Sequence, residues 1–377
     1  LGISYFDPCC QDLVHSLVGP ILQNLMMKIS EDEKWIRVAL EEGRKGIGLT
    51  APNPPVGAVL VKDGAELARG WHRRAGTPHA ERDALSKISE HEAKGATAYV
   101  TLEPCSTQGR TGACTEALIA AGVAKVVYGA CDPNPSHVGG ADEILEAAGI
   151  EVVQRVLEDE CLELVRGFAM VQSEGRPWVI AKTAMSLDGR ITRPPGEGQW
   201  LSGPSARQEV QQLRVEADAI LTSGETVRRD DPALTLRGPG IPPGKMQPWR
   251  VVMTRQELVR ERYQLFVDEW KNRTLVFKNQ SKYDILRTLA NEHEVNTVLL
   301  EAGGSLLGSF LDEGLIDEWV IYLAPMVTGG PTAAVGGQGS GTLEERMNLK
   351  NVRIHEVGRD LCARGLVNRD YVKPLER

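Results

Sequence analysis

Three short stretches of the chain carry side chains suited to metal chemistry. His79-Ala80-Glu81 stands directly after Pro78, Glu103-Pro104-Cys105 closes an apolar run, and Cys114 follows nine residues after the first cysteine. One imidazole and two thiolates fill three positions of a tetrahedral zinc ion and leave the fourth to water, whereas a structural site is normally closed by four protein ligands. Zinc lowers the pKa of its water towards neutrality, so a nucleophile is available near pH 7. Glu81, two residues past the histidine, is no ligand in this scheme. It can take the proton of the water and deliver protons to a ring nitrogen and a leaving amine. His-x-Glu combined with Pro-Cys is the pattern of zinc-dependent base deamination. Either half alone is weak, and the competing explanation is two small core cysteines beside a chance triplet. Their joint placement, at a helix start and a strand end, favours the chemistry. Cys131, Cys161 and Cys362 are expected to be dispensable for metal.

The elements that must hold these residues can be read from periodicity and turn signals. Ser30-Glu31-Asp32-Glu33 fits a capping box, and the helix it starts places Trp35, Ile36, Ala39 and Leu40 on one face. Residues 56–61 read as a buried strand, and Lys62-Asp63-Gly64 as the turn of a hairpin returning through 67–71. Helices are expected over 80–88, 115–121, 141–148 and 158–171, with strands over 98–102, 125–128 and 150–153. Alternation of strand and helix implies an α/β sandwich. Ser173-Glu174-Gly175-Arg176-Pro177 interrupts it, which divides the chain into 27–173 and 174–377. A second alternating series follows, with strands over 178–183, 219–222, 250–253, 274–277, 298–301 and 318–324 and helices over 205–215 and 306–311. Residues 1–26 show no targeting features and read as an extension, with Met26 or Met27 as the expected start.

Composition narrows the field. Over 377 residues, 51 acidic side chains against 43 basic ones leave a net charge of −8, which argues against a surface built to coat nucleic acid. No apolar run approaches the roughly 18 residues needed to span a bilayer. Seven widely spaced cysteines do not form a disulfide framework, so a reducing compartment, the cytoplasm, is expected.

In the first half, Pro52-Asn53-Pro54-Pro55-Val56-Gly57, Gly70-Trp71-His72, Pro78-His79-Ala80-Glu81, Val100-Thr101-Leu102-Glu103-Pro104-Cys105-Ser106, Gly109-Arg110-Thr111 and Asp132-Pro133-Asn134-Pro135 stand in an order that resembles the bifunctional deaminase–reductases of riboflavin biosynthesis. Eight residues between Cys105 and Cys114, rather than two, are similar to this family in particular. The resemblance implies a cytidine-deaminase-like α/β/α domain holding one zinc, and removal of an amino group from a diaminopyrimidinone bearing a ribosylamino 5′-phosphate. It also implies substrate contacts from Asn53, His72, Arg110, Asp132 and Asn134, although His72 alone would read equally well as a satisfied structural histidine. The sequence departs from the family pattern at Ala51, at Thr107, where a substrate-side histidine is usual, and at Gly112-Ala113.

In the second half, Gly303-Gly304 follows a strand and opens a helix, an arrangement in which free backbone N–H groups can meet phosphate. A lone Gly-Gly is more often an ordinary turn. Gly336-Gly337-Gln338-Gly339-Ser340-Gly341 lacks the lysine and the flanking strand of a phosphate loop and is expected to be a flexible loop. The runs Lys182-Thr183-Ala184-Met185-Ser186-Leu187-Asp188-Gly189-Arg190, Gln199-Trp200-Leu201-Ser202-Gly203, 219–227, 230–237 and Glu301-Ala302-Gly303-Gly304 resemble the family's reductase, whose fold is similar to dihydrofolate reductase. This implies NADPH lined by Ala184, Trp200, Thr226, Asp230, Gly303 and Gly304. It also implies a substrate site of Lys182, Arg214, Leu234, Arg237 and Glu301, with the arginines on the phosphate. The expected partner is a small phosphorylated pyrimidine, with neither nucleic acid nor membrane, in a chain that could form a homo-oligomer. Two other readings are a live reductase with a drifted deaminase domain, and a zinc module that binds nucleic-acid bases or is merely structural.

Overall fold

The structure, a computed structural model, describes residues 30–107, 112–135, 137, 140–191, 200–342 and 346–368. The expectations for residues 1–26 and for Arg110 lie outside them. The amino-terminal part is built on a five-stranded sheet of order β2-β1-β3-β4-β5, formed by β1 (Gly57–Lys62), β2 (Ala65–Trp71), β3 (Thr97–Leu102), β4 (Lys125–Ala130) and β5 (Glu151–Val153). The hairpin β1–β2 is antiparallel, β1 runs antiparallel to β3, and β3, β4 and β5 are parallel. Strand alternation sorts side chains to two faces. Val59, Val61 and Tyr99 join Trp35, Ile36 and Leu40 of helix Glu31–Arg44 and Val165 of helix Glu158–Glu174. Ala58, Leu60, Ala98 and Val100 pack on the other side against Ala80, Ala84, Leu118 and Leu145. The result is a three-layer α/β/α sandwich. The capping box at Ser30 forms as expected, with the serine side chain accepting from Glu33 N. The helix expected over 80–88 is shorter, Ala80–Leu85, and is followed by a separate one-turn helix, Glu90–Ala93, capped by Ser89.

Helix Glu158–Glu174 ends on Gly175, whose φ of +67° is open to glycine without strain. Arg176 is then buried in a two-pronged pair with Asp317, at 2.8 and 2.9 Å. Beyond it lies an eight-stranded sheet of order β12-β13-β11-β6-β10-β7-β8-β9. Its strands are β6 (Trp178–Ser186), β7 (Ala219–Ser223), β8 (Trp249–Thr254), β9 (Thr274–Lys278), β10 (Thr297–Glu301), β11 (Glu318–Ala324), β12 (Leu349–Val357) and β13 (Asp360–Val367). Strands β6 to β11 are parallel, and the terminal hairpin β12–β13 is antiparallel. One face is covered by helices Lys282–His293 and Gly304–Asp312, the other by Pro204–Glu216 and Gly224–Asp230. Helices 224–230 and 282–293 and the terminal hairpin were not expected from the sequence.

The glycine-rich stretch is irregular, as expected, and its start packs closely on a helix. Gly336 N donates to Gly304 O at 2.9 Å, and a Cβ at Gly308 would lie 2.1 Å from the Gly336 carbonyl carbon. The glycines serve close backbone packing of this stretch over the start of helix Gly304–Asp312.

Candidate active sites

The first site assembles where β2, β3 and two helix starts converge. A Cβ at Gly70 would lie 2.2 Å from Ala80 O, so only glycine lets helix Ala80–Leu85 lie so close to β2. That approach sets His79, the residue before the helix, above the sheet end. Cys105 follows β3, and Cys114 is the first residue of helix Cys114–Ala120, tied back by Cys114 N donating to Cys105 O at 3.0 Å. His79 Nδ1 faces both sulfurs, 3.5 Å from Cys105 Sγ and 3.4 Å from Cys114 Sγ. At zinc bond lengths of about 2.0 Å to nitrogen and about 2.3 Å to sulfur, tetrahedral ligands lie about 3.5 Å apart, so the trio fits the ion. Hydrogen bonding from Cys114 and His79 pulls the Cys105 thiol down to about 4, against the opposing effect of burial.

Glu81 is buried beside Cys114, and burial first, then the charge of Cys105, pushes its carboxyl above the usual range. Cys114→Ser is expected to lose this zinc and deamination with it. Cys161→Ser, in the apolar core, and Cys131→Ser should retain both. Elemental analysis beside ammonia release checks this, and full occupancy in Cys114→Ser would sink the ligand assignment.

The expected substrate contacts divide into two kinds. His72 is buried with both ring nitrogens engaged: Nδ1 meets Pro78 O at 3.0 Å and Nε2 meets Asn53 Nδ2 at 3.0 Å. Burial lowers its pKa, so it is neutral and orients Asn53, in line with the structural alternative. Asp132 and Asn134 lie after β4, joined by an Asn134 N to Asp132 Oδ1 bond of 2.8 Å and fixed to buried Glu103 through Asp132 N at 3.2 Å. Thr107, the departure from the family pattern, lies 3.2 Å from His137 Nδ1, so an imidazole stands at this edge from another loop. Sequence reasoning missed His137. It also missed Asn296, just before β10, whose Nδ2 donates to Pro52 O at 3.0 Å and so holds the Asn53 loop from the other domain. Lys245 adds a second tie, 2.6 Å to Gly48 O. An isolated asparagine or lysine carries no sequence signal for such a contact.

The second site lies at the carboxyl ends of parallel β6, β10 and β7, where open α/β sheets bind ligands. Lys182 on β6 is in register with Glu301 on β10. Glu301 is gripped by Arg214, Nε to Oε1 at 2.6 Å and Nη2 to Oε2 at 3.0 Å, while Arg214 Nη1 donates to Thr235 O at 3.0 Å. Arg214, expected on the substrate phosphate, is buried with its fork engaged within the protein. Desolvation lowers the Lys182 pKa, partly countered by Glu301. Leu234 is buried with φ +48°, and the exposed Arg237 follows it, held through its backbone N by Gln211. Ala184 lies on β6, Thr226 is bonded to Ser223 near the start of its helix, and Asp230 closes that helix. Trp200 is exposed under the Arg207 guanidinium. Gly303 caps helix Gly304–Asp312, and the position of its missing Cβ has no atom within 4 Å. At Gly304 a Cβ would lie 2.3 Å from Ala333 O. An open cradle at a helix start suits a dinucleotide phosphate.

Residues 29–130 match the family model of the cytidine and deoxycytidylate deaminase zinc-binding region, and 177–363 match that of the RibD C-terminal domain. Fold, sites and these matches define a two-domain enzyme, a zinc-dependent deaminase joined to an NADPH-dependent reductase. The chain is 39% identical over 361 residues to the riboflavin biosynthesis protein RibD of Escherichia coli (strain K12), covering 88% of this chain and 98% of that protein. It is 36% identical over 350 residues to RibD of Aquifex aeolicus, covering 88% and 97%. Among solved structures, Acinetobacter baumannii RibD (form 1) superposes with a TM-score of 0.83 at 36% identity, over 90% of this chain and 100% of that one. The Thermotoga maritima diaminohydroxyphosphoribosylaminopyrimidine deaminase/5-amino-6-(5-phosphoribosylamino)uracil reductase gives 0.77 at 30%, over 90% and 99%. The chain belongs to the RibD family, the bifunctional enzymes that perform a deamination and then a reduction in riboflavin biosynthesis. Neither the drifted-deaminase reading nor the nucleic-acid or structural module is favoured. No helix among the described residues is long and apolar enough to cross a membrane.

Proposed function

We propose that residues 27–173 remove the ring 2-amino group of a diaminopyrimidinone bearing a ribosylamino 5′-phosphate, and that residues 174–377 reduce the ribosylamino group to ribitylamino. The observation that carries the first half is His79 Nδ1 facing two cysteine sulfurs with Glu81 buried beside them. Bound there, zinc supplies an activated water. Glu81 accepts the proton of that water and returns protons to the ring nitrogen and the departing amine. Asn53, with its NH2 committed to His72, offers Oδ1 to a ring N–H. Asp132 and Asn134 border the ring and His137 stands beside Thr107 towards the phosphate; Arg110 is the guanidinium that the resemblance assigns to the substrate.

In the second half NADPH supplies the hydride to C1′ of the sugar. Gly303, Gly304, Thr226, Asp230, Ala184 and Trp200 bind the cofactor. Lys182, Leu234, Glu301 and Arg237 face the pyrimidine and its phosphate. Arg214 acts by holding Glu301, which leaves the phosphate to Arg237. The substrate is a small molecule; the enzyme works in the cytoplasm without nucleic acid, and a homo-oligomer is compatible with this scheme.

The decisive experiment supplies the purified protein with the diaminopyrimidinone phosphate. Ammonia and the deaminated pyrimidine should appear without NADPH, and the ribityl product only with it. Subsite assignment has its own test. Arg237→Ala removes a charge-assisted contact and should raise the Michaelis constant for the phosphorylated pyrimidine by roughly 10- to 150-fold, with little change for NADPH. A Cβ at Gly303 has no protein atom within 4 Å, so Gly303→Val should fold and weaken NADPH instead. A reversed pattern would mean that the two subsites are exchanged.

A further inference from the structure

Away from both sites, three potential metal ligands of different type converge on the outer part of the eight-stranded sheet. Glu209 comes from helix Pro204–Glu216, His355 from β12 and Cys362 from β13. His355 and Cys362 are partners across the antiparallel pair, and Tyr322 of β11 is the partner of Cys362 on its other side. Side chains of paired residues stand on the same face, so Tyr322, Cys362 and His355 make one row. The helix lies over that face, with Ala206, Val210 and Leu213 packed with Tyr322 and Cys362, and Glu209 reaches the row from above.

Glu209 Oε2 is 3.1 Å from His355 Nε2, and one ligand atom from each of Glu209, His355 and Cys362 lies within 4.8 Å of the others. Tetrahedral zinc ligands of these types would be separated by about 3.3–3.6 Å, so only small side-chain shifts separate this arrangement from a coordination shell. Tyr322 OH donates to the other oxygen, Glu209 Oε1, at 3.2 Å, the kind of outer contact that orients a ligating carboxylate. Exposure is graded. Cys362 is fully buried, while the Glu209 and His355 side chains are 31% and 51% exposed. An ion could therefore enter between the carboxylate and the imidazole and reach the sulfur at the floor. A surface Glu–His pair and a core cysteine are each ordinary taken singly; what sets this place apart is that ligand atoms of all three types converge within 4.8 Å.

We propose that Glu209, His355 and Cys362 form a second zinc site, unrelated to deamination, that fastens helix Pro204–Glu216 to the terminal hairpin. Binding replaces the Cys362 S–H bond by a metal–sulfur bond and releases that proton to solvent, while the Nε2 proton shared with Glu209 gives way to the Nδ1–H tautomer of His355, so that Nε2 and the Glu209 carboxylate donate lone pairs. The same helix is already tied to the hairpin at its start, where Gly203 N donates to Asp360 Oδ2 at 2.6 Å and Arg359 Nη2 to Leu201 O at 3.0 Å. The metal would add a fastening one to two turns further along, towards Arg214. Cys362 is then a ligand, contrary to the expectation that it is dispensable for metal.

The test uses the full chain, saturated with Zn2+, freed of excess ion and measured for zinc per chain and for ammonia release. The wild type should hold two equivalents. His355→Gln, at an exposed position that the fold tolerates, and Cys362→Ser should each hold one and keep deamination. Cys114→Ser should also hold one but lose deamination. Chelator competition should place the second equivalent at least about tenfold weaker in His355→Gln than in the wild type. Thermal unfolding should rise with Zn2+ in Cys114→Ser but not when His355→Gln is added to it. A wild type holding a single zinc whose content is unchanged by His355→Gln would overturn the proposal. So would two equivalents that survive His355→Gln and Cys362→Ser alike.

Discussion

Glu81→Gln is expected to slow deamination by about 10²–10⁴-fold, the usual effect of losing a general acid–base group, and to leave reduction of separately supplied deaminated substrate unchanged. Glutamine keeps the length and hydrogen-bonding outline of the buried glutamate, so the packing around Ala80, Ala84 and Cys114 should survive. It is not a zinc ligand in this geometry, so metal content should also survive. His79, Cys105 and Cys114 supply the contacts by themselves. What glutamine cannot do is accept the proton of a water and return it to nitrogen. The activities are separable because Glu81 lies in the five-stranded domain, while Lys182, Arg214 and Glu301 lie in the eight-stranded one. The measurements are ammonia release, NADPH oxidation with deaminated substrate, and zinc per chain. If both activities fell together with fold and zinc intact, two independent sites would be the wrong description.

The parts of this architecture visible in the sequence are those set by local chemistry. The Ser30 capping box, the Lys62-Asp63-Gly64 hairpin and the apolar runs of β1, β3, β6 and β10 follow from neighbours a few residues apart. The metal trio was legible because its three residues sit at element ends with fixed spacing. Helix Lys282–His293 escaped because its buried residues are few, Ile285, Leu286 and Leu289, amid charged positions. β12 escaped for a similar reason: most of its residues are exposed, as on an edge strand, and their alternation is weak. Asn296 and Lys245 could not have been found, because their significance is a contact with a loop some two hundred residues away in sequence. Arg214 shows the opposite failure. Its type suggested phosphate, but its partner, Glu301, is far along the chain, and only the packing of helix Pro204–Glu216 at the end of β10 brings the guanidinium onto both carboxylate oxygens.

That pair sets the second large expectation. Arg214→Met should destabilise the protein by about 3–5 kcal/mol at neutral pH, because it leaves Glu301 nearly buried without its main counter-charge. In the wild type, burial alone would push the Glu301 carboxyl up. Arg214, then Lys182, outweigh it and hold the group below the usual range. The stability it contributes is therefore complete above the unfolded value of about 4.3 and is lost as pH falls through the depressed folded value. Without Arg214, burial dominates and the folded value rises above the unfolded one. The cost of keeping the carboxylate ionised is then greatest above that raised value and fades as pH falls towards about 4.3. Denaturant unfolding at several pH values should show the gap between wild type and Arg214→Met at its widest near neutrality and narrowing in acid. Arg214→Met combined with Glu301→Leu should recover most of the loss, since a buried ion pair and an apolar pair of similar volume are often comparable. A direct phosphate contact by Arg214 predicts something else: a large rise in the Michaelis constant for the pyrimidine, stability changed by less than about 1 kcal/mol as for an exposed charge, and no recovery in the double variant.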